Sequence, residues 1–191
     1  MLKLGLLVSL SLIACGHKSN SSDVAAGLDP TGTWTTACFD TSGSPSKAQV
    51  IYTKTTVEFQ SQIFADTSCS ALQVTFKETK SLTIGATAEG LTATNSTLLT
   101  DTAAFFKEQV AEANKAGIYG YKDWAEGVFK DISGKQATST GATEAAIGTI
   151  TYAVIKIKGN TLYPPLKSSG DGKTEATRPT EVDTTSPFTK Q

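Results

Sequence analysis

The side chains that most often carry out catalysis are few in this chain, and the sequence does not group them. The only histidine is His17, two residues after Cys15, so no Ser-His-Asp or Cys-His arrangement is available further along the chain. Glycoside hydrolysis needs two carboxyl groups that face one cleft in contrasting environments. The acidic residues in patterned segments all have surroundings that predict solvent exposure: Glu58, Asp66, Glu78, Glu89, Asp123 and Glu126. The sequence therefore predicts no catalytic residues and a protein that is not an enzyme.

Motifs for metals, phosphates and nucleic acids are also missing from the sequence. Cys38 and Cys69 are separated by 31 positions without a nearby histidine, which makes a poor zinc ligand set. The segment Gly170-Asp171-Gly172 is too short for a calcium-binding loop. A formal net charge of -1 predicts no basic surface for nucleic acid. We expect no cofactor, no metal site and no nucleic-acid partner.

The beginning of the chain has the pattern of an export signal. The apolar run from Leu4 to Ile13 is too short for a membrane-spanning helix, which needs roughly 20 residues. It ends in Leu12-Ile13-Ala14-Cys15, the pattern at which bacterial lipoprotein signals are cleaved before an acylated cysteine. We therefore predict a signal peptide over residues 1–14.

Cys15 would then be the lipidation site and the contact with the membrane. Several acyl chains, palmitate among them, hold a protein on a bilayer far more firmly than a single chain does. Gly16 after the cysteine resembles the sorting signal of outer-membrane lipoproteins. The protein would then lie on either the periplasmic or the cell-surface face of that membrane. Residues 15–29 are small and polar, which predicts a flexible tether.

The other two cysteines fit an exported protein. Cys38 and Cys69 form an even pair in a compartment where disulfides persist. A bridge between them would stabilise the fold by about 3.5 to 4 kcal/mol in the chain-entropy model. Two buried free thiols or a metal site are the alternatives to this predicted disulfide.

Several segments alternate between apolar and polar residues, as antiparallel strands do. A first strand is predicted from Gly32 to Phe39, and weaker alternation follows from Ala48 to Lys54. Clear alternation covers Val57 to Ile63 and then Leu72 to Ile84. Short strands in succession predict a mainly β fold, either an antiparallel barrel or a sandwich.

The middle of the chain changes to a helical period. Apolar residues at three- and four-residue spacing predict a helix over Thr102 to Ala116, with Thr100 or Asp101 as N-cap and Gly117 at its end. A second helix or turn is predicted from Tyr121 to Asp131. Together they form a predicted helical insertion over residues 100–135.

Strand-like alternation returns near the end of the β domain, which the sequence places at residues 30–167. Gly159-Asn160 between two β-like runs, 148–158 and Thr161 to Tyr163, predicts a tight hairpin. Pro164-Pro165 should end the last strand, because proline donates no ladder hydrogen bond. Residues 168–191 are polar and rich in turn formers, which predicts an irregular or disordered C-terminal extension.

A set of short motifs resembles a known group of proteins. These motifs are Gly32-Thr33-Trp34, Cys38, Cys69 preceded by Asp66, the Gly159–Tyr163 hairpin, and Arg178-Pro179-Thr180. Over residues 32–190 the chain resembles small lipocalin-like lipoproteins of the bacterial envelope. That resemblance implies an antiparallel β-barrel with the tryptophan across its closed end and an interior cavity.

Two functional hypotheses follow. In the first, a small hydrophobic or amphipathic molecule binds inside the barrel. The residues that would line its site, and that in a filled barrel would be ordinary core residues, are Trp34, Val57, Phe59, Val74 and Phe76. In the second, the β domain is solid and the protein serves a structural or interaction role on the envelope. Its contact surface would then be formed by aromatic residues of the insertion, with an unknown protein partner: Tyr119, Tyr121 and Trp124.

Overall fold

The computed structural model describes residues 29–41, 43–138 and 140–191. The predicted signal peptide, Cys15 and nearly all of the tether lie outside these residues. Among the described residues, ten strands are present: β1 (Gly32–Thr35), β2 (Phe39–Thr41), β3 (Ser44–Tyr52), β4 (Thr56–Phe64), β5 (Leu72–Ala88), β6 (Leu91–Phe105), β7 (Lys130–Asp131), β8 (Ile150–Lys158), β9 (Thr161–Tyr163) and β10 (Phe188–Lys190). The α-helix is α1 (Glu108–Ala116), and short 3₁₀ turns cover Ile118–Gly120, Lys167–Ser169 and Glu175–Thr177.

Eight of these strands close into an antiparallel barrel in the order β1-β10-β9-β8-β6-β5-β4-β3, with β3 pairing back to β1. Strands β2 and β7 add to its wall by pairing with β3 and β6. The fold is thus mainly β with a helical insertion, and of the two predicted architectures the barrel is confirmed. The long β5–β6 hairpin forms the largest part of the wall, and the insertion leaves the barrel at its end.

The turn predictions agree with the structure at several points. β8 and β9 pair across the Gly159-Asn160 turn, and β9 ends at Tyr163 directly before the two prolines. Gly117 ends α1 in the left-handed conformation, where its N–H reaches the carbonyls of Ala113 and Asn114.

The start of the helix was predicted wrongly. Residues 102–105 continue β6 and pair with β5, and α1 begins only at Glu108, so neither Thr100 nor Asp101 is its N-cap. In this strand Ala103, Ala104 and Phe105 are all buried, and this burial outweighs the helical propensity of an alanine-rich stretch.

The C-terminal extension proved to be part of the barrel. β10 inserts between β9 and β1, so the β domain continues past residue 167, where the sequence placed its end. The segment before β10 is irregular but bonded to the wall. Arg178 donates to the carbonyls of Thr94 and Ala153 and to the side-chain oxygen of Asn95 at 2.8–2.9 Å.

The apolar core has two separate parts, one at each end of the barrel. The Trp34 core contains Trp34, Ala48, Val50, Tyr52, Leu82, Ile155, Leu162 and Phe188. The insertion core contains Val74, Ala103, Phe105, Ala113, Tyr119, Trp124, Ile132 and Ala137. The candidate site lies in the barrel interior beside these two cores.

The predicted disulfide is confirmed. Cys38 and Cys69 are bonded with a Cα–Cα distance of 5.9 Å, and the bridge joins the segment before β2 to the loop between β4 and β5. Asp66 organises that loop by accepting hydrogen bonds from the backbone N–H groups of Ser70 and Ala71. The hydrogen bond from the Ser68 hydroxyl, followed by those from the Ala71 N–H and the Ser70 hydroxyl, holds the pKa of the Asp66 carboxyl well below its usual range.

Removing this bridge should weaken the fold measurably. Replacing both cysteines, Cys38→Ala with Cys69→Ala, should lower the free energy of unfolding by about 3–4 kcal/mol, since the unfolded chain regains loop entropy. Urea unfolding of the full chain measures this difference. A reductant should bring the wild-type chain to the level of the double variant and leave the variant unchanged. A loss under about 1 kcal/mol would contradict a stabilising role.

Candidate ligand-binding cavity

The inward face of β5 passes through three levels of the barrel. Val74 belongs to the insertion core and Leu82 to the Trp34 core. Between them, Glu78 and Lys80 line an internal cavity. Alternation places all four side chains on one face of the strand, so the middle level of the barrel carries charges where the two ends carry apolar groups.

This cavity extends from the middle level along the Trp34 core; we call it the main cavity, and its volume is about 910 Å³. Small-molecule sites usually measure roughly 300–1,000 Å³ and combine apolar walls with a few polar groups. The apolar part of this wall includes Val57, Phe59, Leu82, Ile155 and Leu162. The polar part includes Glu78, Lys80, Thr94, Ser96 and Thr151. The main cavity therefore has the size and the mixed lining of a site for an amphipathic molecule.

The main cavity is accessible from solvent. Phe39, Lys167 and Ser168 line it and are themselves exposed. The last two belong to the C-terminal segment that precedes β10, so this segment forms part of the rim.

A smaller space of about 290 Å³ adjoins the main cavity through Phe59 and Glu78, which line both. We call it the acidic chamber, and its lining residues are Phe59, Ser61, Phe76, Glu78, Asp101 and Glu144. Phe59 is 38% exposed although it lies in phase with inward residues of β4. Such exposure of a phenyl ring is expected where the interior is not filled by side chains.

Asp101 is the buried acid of the acidic chamber. Its side chain lies on β6 opposite Glu78 of β5, and the residue is only 3% exposed. Burial raises the pKa of the Asp101 carboxyl to about 7, because the charged form loses hydration. The nearby carboxylates, first of Glu78 and then of Glu144, raise this pKa further, whereas Lys80 opposes the rise.

Glu144 reaches the acidic chamber from the segment between β7 and β8. The hydroxyl of Tyr119 donates to its Oε1 at 2.5 Å. Tyr119 has a φ of 56°, an unusual value for a bulky residue, which the packed insertion core maintains. Burial, followed by this bond to Glu144, raises the pKa of the Tyr119 hydroxyl, so Tyr119 remains a donor at neutral pH.

Glu78 and Lys80 form an ion pair at the junction of the two spaces. Their charged atoms are 2.6 Å apart, and both side chains are largely shielded from solvent, with exposures of 32% and 20%. Glu78 is therefore paired with a cation, whereas Asp101 and Glu144 take part in none of the ion pairs of the described residues.

The structure brings together only part of the ligand set predicted from the sequence. Val57 and Phe59 line the main cavity, and Phe76 lines the acidic chamber. Trp34 and Val74 do not line either space. Trp34 is 1% exposed in the core at one end and Val74 is 9% exposed in the core at the other, so both pack the ends of the barrel.

The aromatic residues of the insertion do not form the contact surface predicted by the second hypothesis. Tyr119 and Trp124 are buried, and Trp124 makes edge-to-face contacts with Phe105 at 4.7 Å and Tyr121 at 5.3 Å. Tyr121 is partly exposed, but its hydroxyl donates to the Asp131 carbonyl. Packing the insertion onto the barrel occupies these side chains.

The charged residues of the site were missed by sequence reasoning. Glu78 had been interpreted as a solvated acid, and Asp101 only as a helix cap. One signal was present, because Glu78 and Lys80 continue the alternation of Val74, Phe76 and Leu82. Two adjacent charges in phase with an apolar face indicate a polar patch inside a barrel.

Comparisons with known proteins do not assign the chain to a group. No protein family matches it, and no curated protein shows a significant match. Within the described ranges, no three or more His, Cys, Asp or Glu side chains are placed to hold a metal ion. In the same part of the chain, no helix is long and apolar enough to cross a bilayer.

The raised pKa of Asp101 predicts a pH dependence of stability. The folded state retains a proton on Asp101 that the unfolded chain releases at an ordinary pKa of about 3.9. Asp101 therefore favours folding below about pH 4, and this contribution is lost as the pH rises towards about 7. Asp101→Asn should match the wild type near pH 4 and exceed its free energy of unfolding by about 1–4 kcal/mol at pH 8.

Denaturant unfolding between pH 4 and 8 measures this difference. Glu112→Gln, which removes an exposed acid from α1, serves as the control and should give a curve parallel to that of the wild type. Parallel curves for Asp101→Asn as well would show that the carboxyl is not perturbed by the fold.

Proposed function

We propose that this chain is a lipid-anchored, lipocalin-like protein of the bacterial outer membrane that binds a small amphipathic molecule inside its barrel. It acts as a binding protein and not as an enzyme. The main cavity is the observation that supports binding most strongly. A barrel that served only as a scaffold would be expected to fill its interior, since proteins pack their cores to high density.

The lining of the main cavity supports an amphipathic ligand over a purely hydrophobic one. Leu82, Ile155 and Leu162 provide an apolar wall at the Trp34 end. Glu78 and Lys80 provide hydrogen-bonding groups at the other side of the same space. A ligand with an apolar body and a polar head would satisfy both regions.

The lipid anchor is supported by the apolar leader that ends in Leu12-Ile13-Ala14-Cys15. An anchored barrel would hold its ligand close to a bilayer, from which amphipathic molecules partition. Capture or delivery of such molecules at the membrane surface is the role that combines the anchor with the main cavity.

Blocking the main cavity should abolish ligand uptake. Ala153 lines the cavity on β8, so Ala153→Trp places an indole ring in that space. The full chain carrying Cys15→Ala, which offers no competing acyl chain, should bind N-phenyl-1-naphthylamine with enhanced fluorescence. Adding Ala153→Trp should weaken this binding about tenfold or more, because the indole ring takes the space of the probe.

Thr83→Trp is the matched control for Ala153→Trp. Thr83 is exposed and follows the cavity residue Leu82 on β5, so its replacement adds the same ring outside the barrel. Circular dichroism should show that both variants are folded. Failure of the parent chain to bind the probe, or equal binding by both variants, would overturn binding inside the barrel.

The lipid anchor has a separate test. In a bacterial host fed labelled palmitate, the wild-type chain should incorporate the label and sediment with membranes. Cys15→Ala should lose the label, because the acylated atom is gone, whereas Cys38→Ala with Cys69→Ala should retain it. An unlabelled wild-type chain or a labelled Cys15→Ala chain would contradict acylation at Cys15.

A further inference from the structure

Above about pH 7, where Asp101 is charged, the acidic chamber carries negative charge that no ion pair balances. Glu78 is neutralised by Lys80 at 2.6 Å. Glu144 accepts a hydrogen bond from Tyr119, which carries no positive charge. Among the ion pairs of the described residues, none involves Asp101 or Glu144. The field inside this chamber therefore favours a cation.

Asp101 gives a second and independent indication. The residue is only 3% exposed, and it lines the chamber. Within the described part of the chain, the hydrogen bonds of Asp101 involve its backbone and not its carboxyl oxygens. Its carboxyl oxygens therefore remain able to accept a hydrogen bond from a molecule bound in the chamber, and a donor held in so sheltered a place contributes more than one in water.

The walls of the chamber indicate what kind of cation fits. The rings of Phe59 and Phe76 line the same space as Asp101 and Glu144. Aromatic faces attract ammonium groups, and carboxylates accept their hydrogen bonds. The acids are not grouped as a metal-binding set in the described residues. The combination therefore matches an organic ammonium group better than a metal ion.

We propose that the acidic chamber binds the protonated amine of an amphipathic ligand whose apolar part occupies the main cavity. This inference rests on the proposed function and adds the chemical class of the ligand. Phe59 lines both spaces, so one molecule can extend from the carboxylates past this ring to the apolar wall at Leu82 and Ile155.

Three probes with the same alkyl chain and different head groups test the inference. Decylamine, decanol and decanoate are titrated at pH 8 against the full chain with Cys15→Ala, preloaded with N-phenyl-1-naphthylamine. Decylamine should displace the dye at a concentration about tenfold or more below that of decanol, and decanoate should be the weakest.

Variants of the chamber locate this preference. Asp101→Asn should reduce the preference for decylamine over decanol about tenfold, with the affinity for decanol changed by less than about twofold. Glu144→Gln should reduce the preference in the same direction and serves as the second variant if Asp101→Asn does not fold. Glu112→Gln on the exposed face of α1 should leave the preference unchanged.

The outcomes separate this inference from the function on which it rests. If the dye binds in the cavity but decanol or decanoate displaces it as well as decylamine does, the amine site is wrong and cavity binding stands. A preference for decylamine that survives both Asp101→Asn and Glu144→Gln also overturns the site. If the dye does not bind the parent chain at all, the proposed function fails first.

Discussion

The closure of the barrel by β1 is the constraint on which the rest of the structure depends. This strand has only four residues, yet it pairs with β3 on one side and with β10 on the other. Trp34 takes part in both ladders, opposite Val50 and Lys190, and its indole N–H donates to the Pro30 carbonyl at 2.8 Å. Without these pairings β10 and most of β3 would be free edges, and the interior would be an open groove instead of a barrel cavity.

Closure alone does not create a site, because a small barrel can fill its own interior with side chains. In this barrel the apolar residues are concentrated at the two ends. Leu82 and Phe188 pack with Trp34, and Phe105 packs with Trp124 under the insertion. The free energy of burying apolar surface is therefore gained at the ends. The middle level is free to carry charged and hydroxyl groups that a packed core would not tolerate.

The same layering explains how much of the fold could be predicted from the sequence. β3, β4 and β5 were found because apolar residues alternate along them, as Val57, Phe59 and Ile63 do on β4. β6 was not recognised, because its inward positions Thr94 and Ser96 are polar and line the main cavity. β10 was missed because a strand of three residues is too short to show alternation.

The site was only partly predictable for a related reason. Apolar periodicity identifies residues that face inward, and Phe59 and Phe76, which it selected, line the acidic chamber. It assigns a charged residue to solvent by default. Because β6 was not recognised as a strand, nothing in the sequence indicated that Asp101 faces the barrel interior. The strand on which the hydrophobic pattern fails, β6, contributes Thr94 and Ser96 to the main cavity and Asp101 to the acidic chamber. Sequences depart from local rules mainly at functional sites. In a closed barrel, a strand that lacks apolar alternation and lies between strands that have it therefore indicates where the polar group of a ligand would be held.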